Sequence, residues 1–347
     1  MPVKPLPNYE TIPLRNENTI IAVAQTSYHT IDPSNPKKGI KYNLDSMIRF
    51  IDQIQRHKRD LIVFHEFPLQ GQKFDWTRDE QIKVAVEVPG EETEIIGQKA
   101  KQYGCYIAFG VRARLKDWPG HFIYMGLLVG PDGGIVQQRW KLRNMAGIGF
   151  PTTVYDVLDR YVEMYGLDAI FPVARTDIGN IAFLPEIYEP EIARAFAIKG
   201  AEILIRYMTF GAGHWGTSPF VYKSALGDLM RIDLQACCIQ NNVYGVFVNN
   251  AIVSEEVFED FGSGRTAVYD MDGRLMAEAA LHHETYIEAV VPMTYYRKNH
   301  SIPRIPKELY THVLDDYESK YPPNTFLKSL PKSPQDSINH YSKYARW

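Results

Sequence analysis

Residues 180–200 read NIAFLPEIYEPEIARAFAIKG, and this stretch decides the fold. Residues 181–183 suit a buried strand, Pro190 suits the first turn of a helix, and Gly200 falls just beyond its end. A strand turning sharply into a helix is a layout that enzymes use to present a nucleophile. At the turn stands Leu184, whose side chain neither attacks nor exchanges a proton. Two residues on is Glu186, which strand alternation would place on the same side as Leu184. Pro185, between them, alters the turn and has no backbone N–H to offer an oxyanion.

Working outward, strands and helices alternate on both sides of this segment. Residues 19–24 (TIIAVA) and 61–64 (LIVF) are short apolar runs with β-branched residues, as buried strands require. Between them Asn43 is read as the cap of a helix with Leu44, Met47, Ile48, Ile51 and Ile54 on one face. Pro89-Gly90 precedes a second helix carrying Ile95, Ile96, Ala100 and Tyr103, and residues 106–111 form the next strand. Residues 122–129 and 135–140 flank the turn Pro131-Asp132-Gly133-Gly134 and read as a hairpin.

Beyond Gly200 the order repeats. Residues 201–205 read as a strand, about 218–242 as a helical stretch, 243–248 as a strand, and 267–277 as a hairpin turning at Asp272-Gly273. Two similar halves predict an α/β protein with two sheets packed together and helices outside, rather than one doubly wound sheet. Residues 1–17 read as an extension and 18–290 as the body. Residues 291–347, rich in Pro, Tyr, Lys and Asn with little periodicity, read as an arm on the body or on a neighbouring subunit.

Composition sets mild bounds. With 347 residues, 45% hydrophobic and 23% charged, the chain suits one large or two modest globular domains. A net charge of −3 argues against nucleic acid or an anionic membrane as partner. The three cysteines are Cys105, Cys237 and Cys238; adjacent cysteines rarely bridge, so a reducing, cytoplasmic setting is expected. No run of about 18 apolar residues predicts a membrane span, and residues 1–17 hold no apolar signal core.

Candidate chemistry sits where strands end. Glu66, in FHEFPLQG, closes an apolar strand, and Lys141, in RWKLRNM, closes the first hairpin. Taken singly, each has a plainer reading, as an ion-pair partner or a solvated lysine. His65 reads as a packed or hydrogen-bonded residue. The ten histidines show no HExxH spacing, so neither metal nor cofactor is expected.

Together the three segments are specific. Glu after a first-half strand, Lys after the first hairpin, and a strand–turn–helix ending in PEIAR resemble the nitrilase, or carbon–nitrogen hydrolase, superfamily over roughly residues 18–290. PGEETEI at 89–95, LQG at 69–71, AIKGAEIL at 197–204, Asn241-Asn242 and GSGRTAVYDMDGR at 262–274 look closest to its aliphatic amidase and formamidase branch. The resemblance implies a four-layer α-β-β-α sandwich that pairs into homodimers or larger assemblies. It also implies a covalent mechanism in which a cysteine attacks a nitrile or amide carbon. Glutamate serves as base and acid, and lysine stabilises the oxyanion. Glu66 and Lys141 match the last two roles, and counting back six residues from Pro190 puts the nucleophile at Leu184.

Further departures accompany the leucine. Residues 142–155 hold no acid where many relatives carry a second glutamate, and a direct count puts Gly149 there. Phe67 stands where amidases often have tyrosine, and Arg265-Thr266 replace the usual His-Ser. With Pro185 and Tyr188, Phe67 and Arg265 are the expected substrate contacts. Three readings follow: a repurposed enzyme using Glu66, Lys141 and Glu186 on a small amide-, nitrile- or carboxylate-type substrate; a binding or regulatory relative without chemistry; and a hydrolase using Cys237 or Cys238. The first is preferred because the glutamate and lysine are retained.

Overall fold

The structure is a computed structural model that describes residues 9–73, 75–144, 149–209, 225–251, 264–280 and 283–347. In chain order the first half contains β1 (Thr19–Gln25), α1 (Pro36–Ile54), β2 (Leu61–Phe64), α2 (Arg78–Val84), β3 (Val86–Glu87), α3 (Glu91–Tyr103) and β4 (Tyr106–Arg114). The hairpin β5 (Ile123–Val129) and β6 (Ile135–Trp140) follows, then α4 (Leu158–Tyr165). The second half contains β7 (Ala174–Thr176), β8 (Gly179–Phe183), α5 (Pro190–Ile198), β9 (Ile203–Tyr207), α6 (Ala225–Asn241) and β10 (Tyr244–Val248). It closes with β11 (Ala267–Tyr269), β12 (Leu275–Glu278) and β13 (Thr285–Val291), followed by α7 (Met293–Asn299), α8 (Thr311–Asp316) and α9 (Pro334–Tyr344).

Two sheets result, as the repeated pattern predicts. The first runs β13-β1-β2-β4-β5-β6 with β3 beside β4, and the second runs β12-β11-β10-β9-β8-β7. Neighbours joined through helices (β1-β2, β2-β4, β8-β9, β9-β10) are parallel, and the hairpins are antiparallel. Alternate residues along each strand divide the core. Ile21, Val23, Leu61, Val63 and Ala108 of the first sheet meet Ile181, Phe183, Ile203, Ile205 and Val246 of the second. The intervening Ala22, Ile62, Ile107 and Phe109 belong to the cluster that contains Met47, Ile51 and Ile96 of α1 and α3. Helices α5 and α6 pack together, with α6 against β10. The order helix, sheet, sheet, helix is the expected sandwich.

One local expectation needs correction, and two gain detail. Asn43 does not cap α1, which begins at Pro36; Asn43 is buried within the helix, with its carboxamide bound to His29 N and O and to Leu69 O at 2.8–3.0 Å. The helix expected over residues 218–242 is present as α6, and residues 218–224 lie outside the described set. The arm carries regular structure: α9 is capped by Ser333, whose hydroxyl accepts the Asp336 N–H. Polar α9 buries Ser337, His340 and Tyr341, which leaves little apolar repeat to read.

Candidate functional site

The corner after β8 is held by two buried arginines. Leu184 N donates to Ile205 O at 2.8 Å, which continues the β8–β9 ladder through the turn. Arg206, on β9, donates to Leu184 O (3.1 Å), Glu186 O (2.9 Å) and Met230 O (3.0 Å), and pairs with Asp233 of α6. Carbonyls of a turn lack helix or sheet partners, and this one guanidinium takes two of them while its bond to Met230 O ties the turn to α6. Leu184 is 1% exposed and Pro185 is buried.

Glu186 turns towards the first sheet. Its carboxylate accepts both Arg139 Nη atoms, at 2.8 and 2.5 Å, and the Leu142 N–H at 2.7 Å. Burial alone would raise its pKa, but Arg139 and the Leu142 amide hold it below the usual glutamate value. The effect is mechanical as well as electrostatic. Arg139 and Leu142 bracket Lys141, so the turn after β8 fixes the strand end that carries the lysine.

Glu66 lies just past β2. Its N–H donates to Met208 O at 3.2 Å, and the Thr209 N–H donates to its carboxylate. Burial pushes the Glu66 carboxyl up to about 7, against the opposing pull of Lys141 and Arg112. Gly110 is required beside it, because a Cβ there would stand 2.4 Å from the Glu66 carbonyl oxygen. Next to it His65 is fully buried between the Thr209 and Thr26 hydroxyls, each 3.1 Å away. Burial drops its pKa to about 3, so it is a neutral brace.

Lys141 is half-buried at the end of β6, with Nζ 5.9 Å from the Tyr124 ring centroid. Its N–H bonds to Tyr124 O (2.9 Å) and its carbonyl accepts Val154 N–H (3.1 Å). Phe67 is fully buried and meets Tyr124 edge-on at 4.7 Å. Gly149 lies near the same ring: a Cβ there would be 4.0 Å from the Tyr124 hydroxyl. Glu66, Lys141, Phe67 and Tyr124 are thus brought together, with Glu186 behind them.

The other expected contacts lie further out. Tyr188 is 54% exposed with φ +60°, and its N–H faces Asp233. Arg265 is half-buried with φ +62°, beside Thr266, which bonds to Asn249 and Gln25. Cys237 and Cys238 are buried, and burial raises both thiols above the usual cysteine value. Sequence reasoning missed Arg112, Arg139 and Arg206. The available signal was an arginine inside each of the strand runs YIAFGVRAR, IVQQRW and ILIRY, where only a paired or cradled guanidinium is tolerated.

Two stacked sheets flanked by helices, with an acid and a lysine at strand ends beside a strand–turn–helix corner, define an α-β-β-α sandwich with its polar site between the sheets. The chain belongs to the carbon–nitrogen hydrolase family, whose model matches residues 20–307. It is similar to a formamidase of Helicobacter acinonychis, 26% identical over 242 residues, or 68% of this chain and 64% of that protein. An omega-amidase of Xenopus laevis is 24% identical over 220 residues, covering 61% of this chain and 70% of that protein. Among solved structures, a carbon–nitrogen hydrolase from Helicobacter pylori superposes with a TM-score of 0.65 at 17% identity, covering 87% of this chain and all of that one. A mutant of a Nesterenkonia amidase from the nitrilase superfamily gives 0.60 at 14%, covering 85% and 97%. The structural likenesses show the fold, and the match to the formamidase spans just under two thirds of that protein's length.

Proposed function

We propose that this chain is an amidase-like enzyme repurposed away from thioester chemistry, with Leu184 at the position of the family's nucleophile. The observation that carries this reading is Glu66, half-buried near Lys141 with its proton equilibrium moved by desolvation to about 7. A carboxyl so poised exchanges protons near neutral pH, and an ammonium beside it stabilises negative charge developing on a substrate oxygen. Glu66 then acts as general base and acid, Lys141 as the electrostatic stabiliser, and Glu186 as the residue that positions Lys141. Proton transfer, hydration or elimination on a small amide-, nitrile- or carboxylate-type molecule is the chemistry these groups support. A thioester step at position 184 is excluded by the leucine itself.

A second reading, a binding relative without turnover, is favoured by the close packing of Leu184 in the apolar cluster. Use of Cys237 or Cys238 is disfavoured by burial, which keeps both thiols protonated. We further propose a cytoplasmic homo-oligomer, supported by the exposed Leu309, Val313 and Leu314 on and beside α8. Residues 1–17 and 291–347 would be extensions to the 18–290 body, without nucleic acid or membrane as partner.

The test is a turnover screen of small amides, nitriles, carbamoyl compounds and elimination-prone acids, run with Glu66→Gln and Lys141→Ala variants. Turnover should rise through about pH 7 and be lost in both variants. Absence of turnover, with a small ligand raising the melting temperature, would establish the binding reading instead. Inactivation by iodoacetamide that Cys237→Ala or Cys238→Ala prevents would point to a thiol.

A further inference from the structure

We infer that the site beside Glu66 and Lys141 selects a small ligand bearing a carboxylate, and that Arg112 is the residue that selects it. This rests on the reading above that the site acts on a small amide-, nitrile- or carboxylate-type molecule. Arg112 is fully buried in β4, and among the described residues it has no carboxylate within ion-pair distance. Of the other buried arginines, Arg139 and Arg206 each have one, Glu186 and Asp233, while Arg78 spends its guanidinium on the carbonyls of Pro331, Gly120 and Phe150. Arg112 donates to Gln72 Oε1 (2.8 Å) and, weakly, to Gly71 O (3.5 Å). Its Nε–H has no acceptor among the described residues. The Phe67, Trp76 and Tyr124 rings lie 4.6, 5.0 and 5.4 Å from its guanidinium carbon. Aromatic faces offset part of the cost of burying a cation, but an anion is the usual counterpart.

Position makes that missing counterpart relevant to the pocket. Arg112 pairs directly across the strands with Tyr124, and Lys141 N bonds to Tyr124 O. The neighbouring Val111, Met125 and Trp140 belong to the helix-side cluster, so alternation points Arg112, Tyr124 and Lys141 together at the second sheet. One tyrosine ring therefore stands between two cations. The Arg139–Glu186 pair is neutral, which leaves, among the described residues, Arg112 and Lys141 facing Glu66. A site with excess positive charge attracts an anion, and a carboxylate offers the planar pair of acceptors that a guanidinium fits. With its carboxylate towards Arg112, the other end of a small ligand lies towards Glu66 and Lys141.

Butyramide and succinamate test this directly, because they differ in one terminal group, a methyl in the first and a carboxylate in the second. Calorimetric titration of the full chain at pH 7.5 should give succinamate a Kd at least about tenfold lower, the size of one charge-assisted hydrogen bond. Arg112→Gln should cut that ratio below about threefold, while Arg112→Lys, which keeps the charge without the planar fork, retains only part of it. Should Arg112→Gln fail to fold, the wild-type ratio and its decline with added salt decide the matter. Butyramide binding as tightly as succinamate overturns the inference and leaves the pocket intact. A preference unchanged in Arg112→Gln overturns the role of Arg112. If neither compound binds, both the inference and the reading beneath it fail.

Discussion

Glu186 gives the sharpest test of how the site is held. Replacing it with leucine leaves the Arg139 guanidinium buried without its carboxylate and the Leu142 N–H without its acceptor. Breaking a buried pair by removing one partner costs about 3–5 kcal/mol, a large share of the roughly 5–15 kcal/mol that stabilises a typical domain. Replacing both partners, as in Arg139→Met/Glu186→Leu, removes the stranded charge and should recover most of the loss. It should still fall about 1–3 kcal/mol short of wild type, because the Leu142 N–H remains unsatisfied. Urea unfolding midpoints at pH 7.5 for wild type, both single variants and the double give the coupling energy. The sign of the pH dependence is also set. Glu186 has a depressed folded pKa, so its contribution is complete above the usual glutamate pKa of about 4.3 and is lost as pH falls below it. Wild-type and Glu186→Leu midpoints should therefore converge in acid. A single-variant loss below about 1 kcal/mol, or a double variant less stable than either single, would refute the reasoning.

Other perturbations follow from the same geometry. Glu66 has a raised folded pKa, so the folded state holds a proton that the unfolded chain releases near pH 4.5. Stability should fall by on the order of 3 kcal/mol as pH rises from about 4.5 to 7.5, and Glu66→Gln should remove that dependence in urea melts. In Gly126→Ala the new Cβ would sit 2.7 Å from the Phe183 ring and 2.9 Å from that of Tyr207, between the sheets; a loss of about 1–3 kcal/mol is expected by thermal melting. Tyr341→Phe removes the hydroxyl that donates to Asp156 (2.9 Å) and accepts from Asn144 (3.1 Å). Hydrogen exchange should then quicken in residues 149–157 while β1 and β2 stay protected, and uniform protection would show that this contact holds nothing.

The parts of this fold that were legible in sequence are those where one physical signal dominates. LIVF at 61–64 is buried on both faces and admits only an interior strand. Pro131-Asp132-Gly133-Gly134 closes β5 and β6 as its turn chemistry requires. Asn43 misled because an asparagine that caps a helix and one that bridges loops from mid-helix look alike in a sequence. Residues 285–291 pair with β1 through TYIEAVV, whose mixed polarity reflects a half-exposed edge strand rather than a core one. Glu66 and Lys141, each plain at its own strand end, stood out only when taken with the segment at 180–200. Arg139 did not, because its partner Glu186 is 47 residues away and no local pattern announces the pair.

The contact between Tyr341 and the loop after Lys141 also bears on the order in which the molecule can be completed during synthesis. Asn144 leaves the ribosome 197 residues before the tyrosine that bonds to it, a delay of roughly 10–40 s at about 5–20 residues per second. Over most of that interval β1 also lacks β13, the neighbour that covers its outer edge. A nascent chain thus carries Glu66 beside an open sheet edge, a surface on which strands from other chains can pair. Stalled or truncated products ending between β12 and β13 would be prone to aggregate and would also lack the anchor on the lysine loop, although every strand of the second sheet is already present in them.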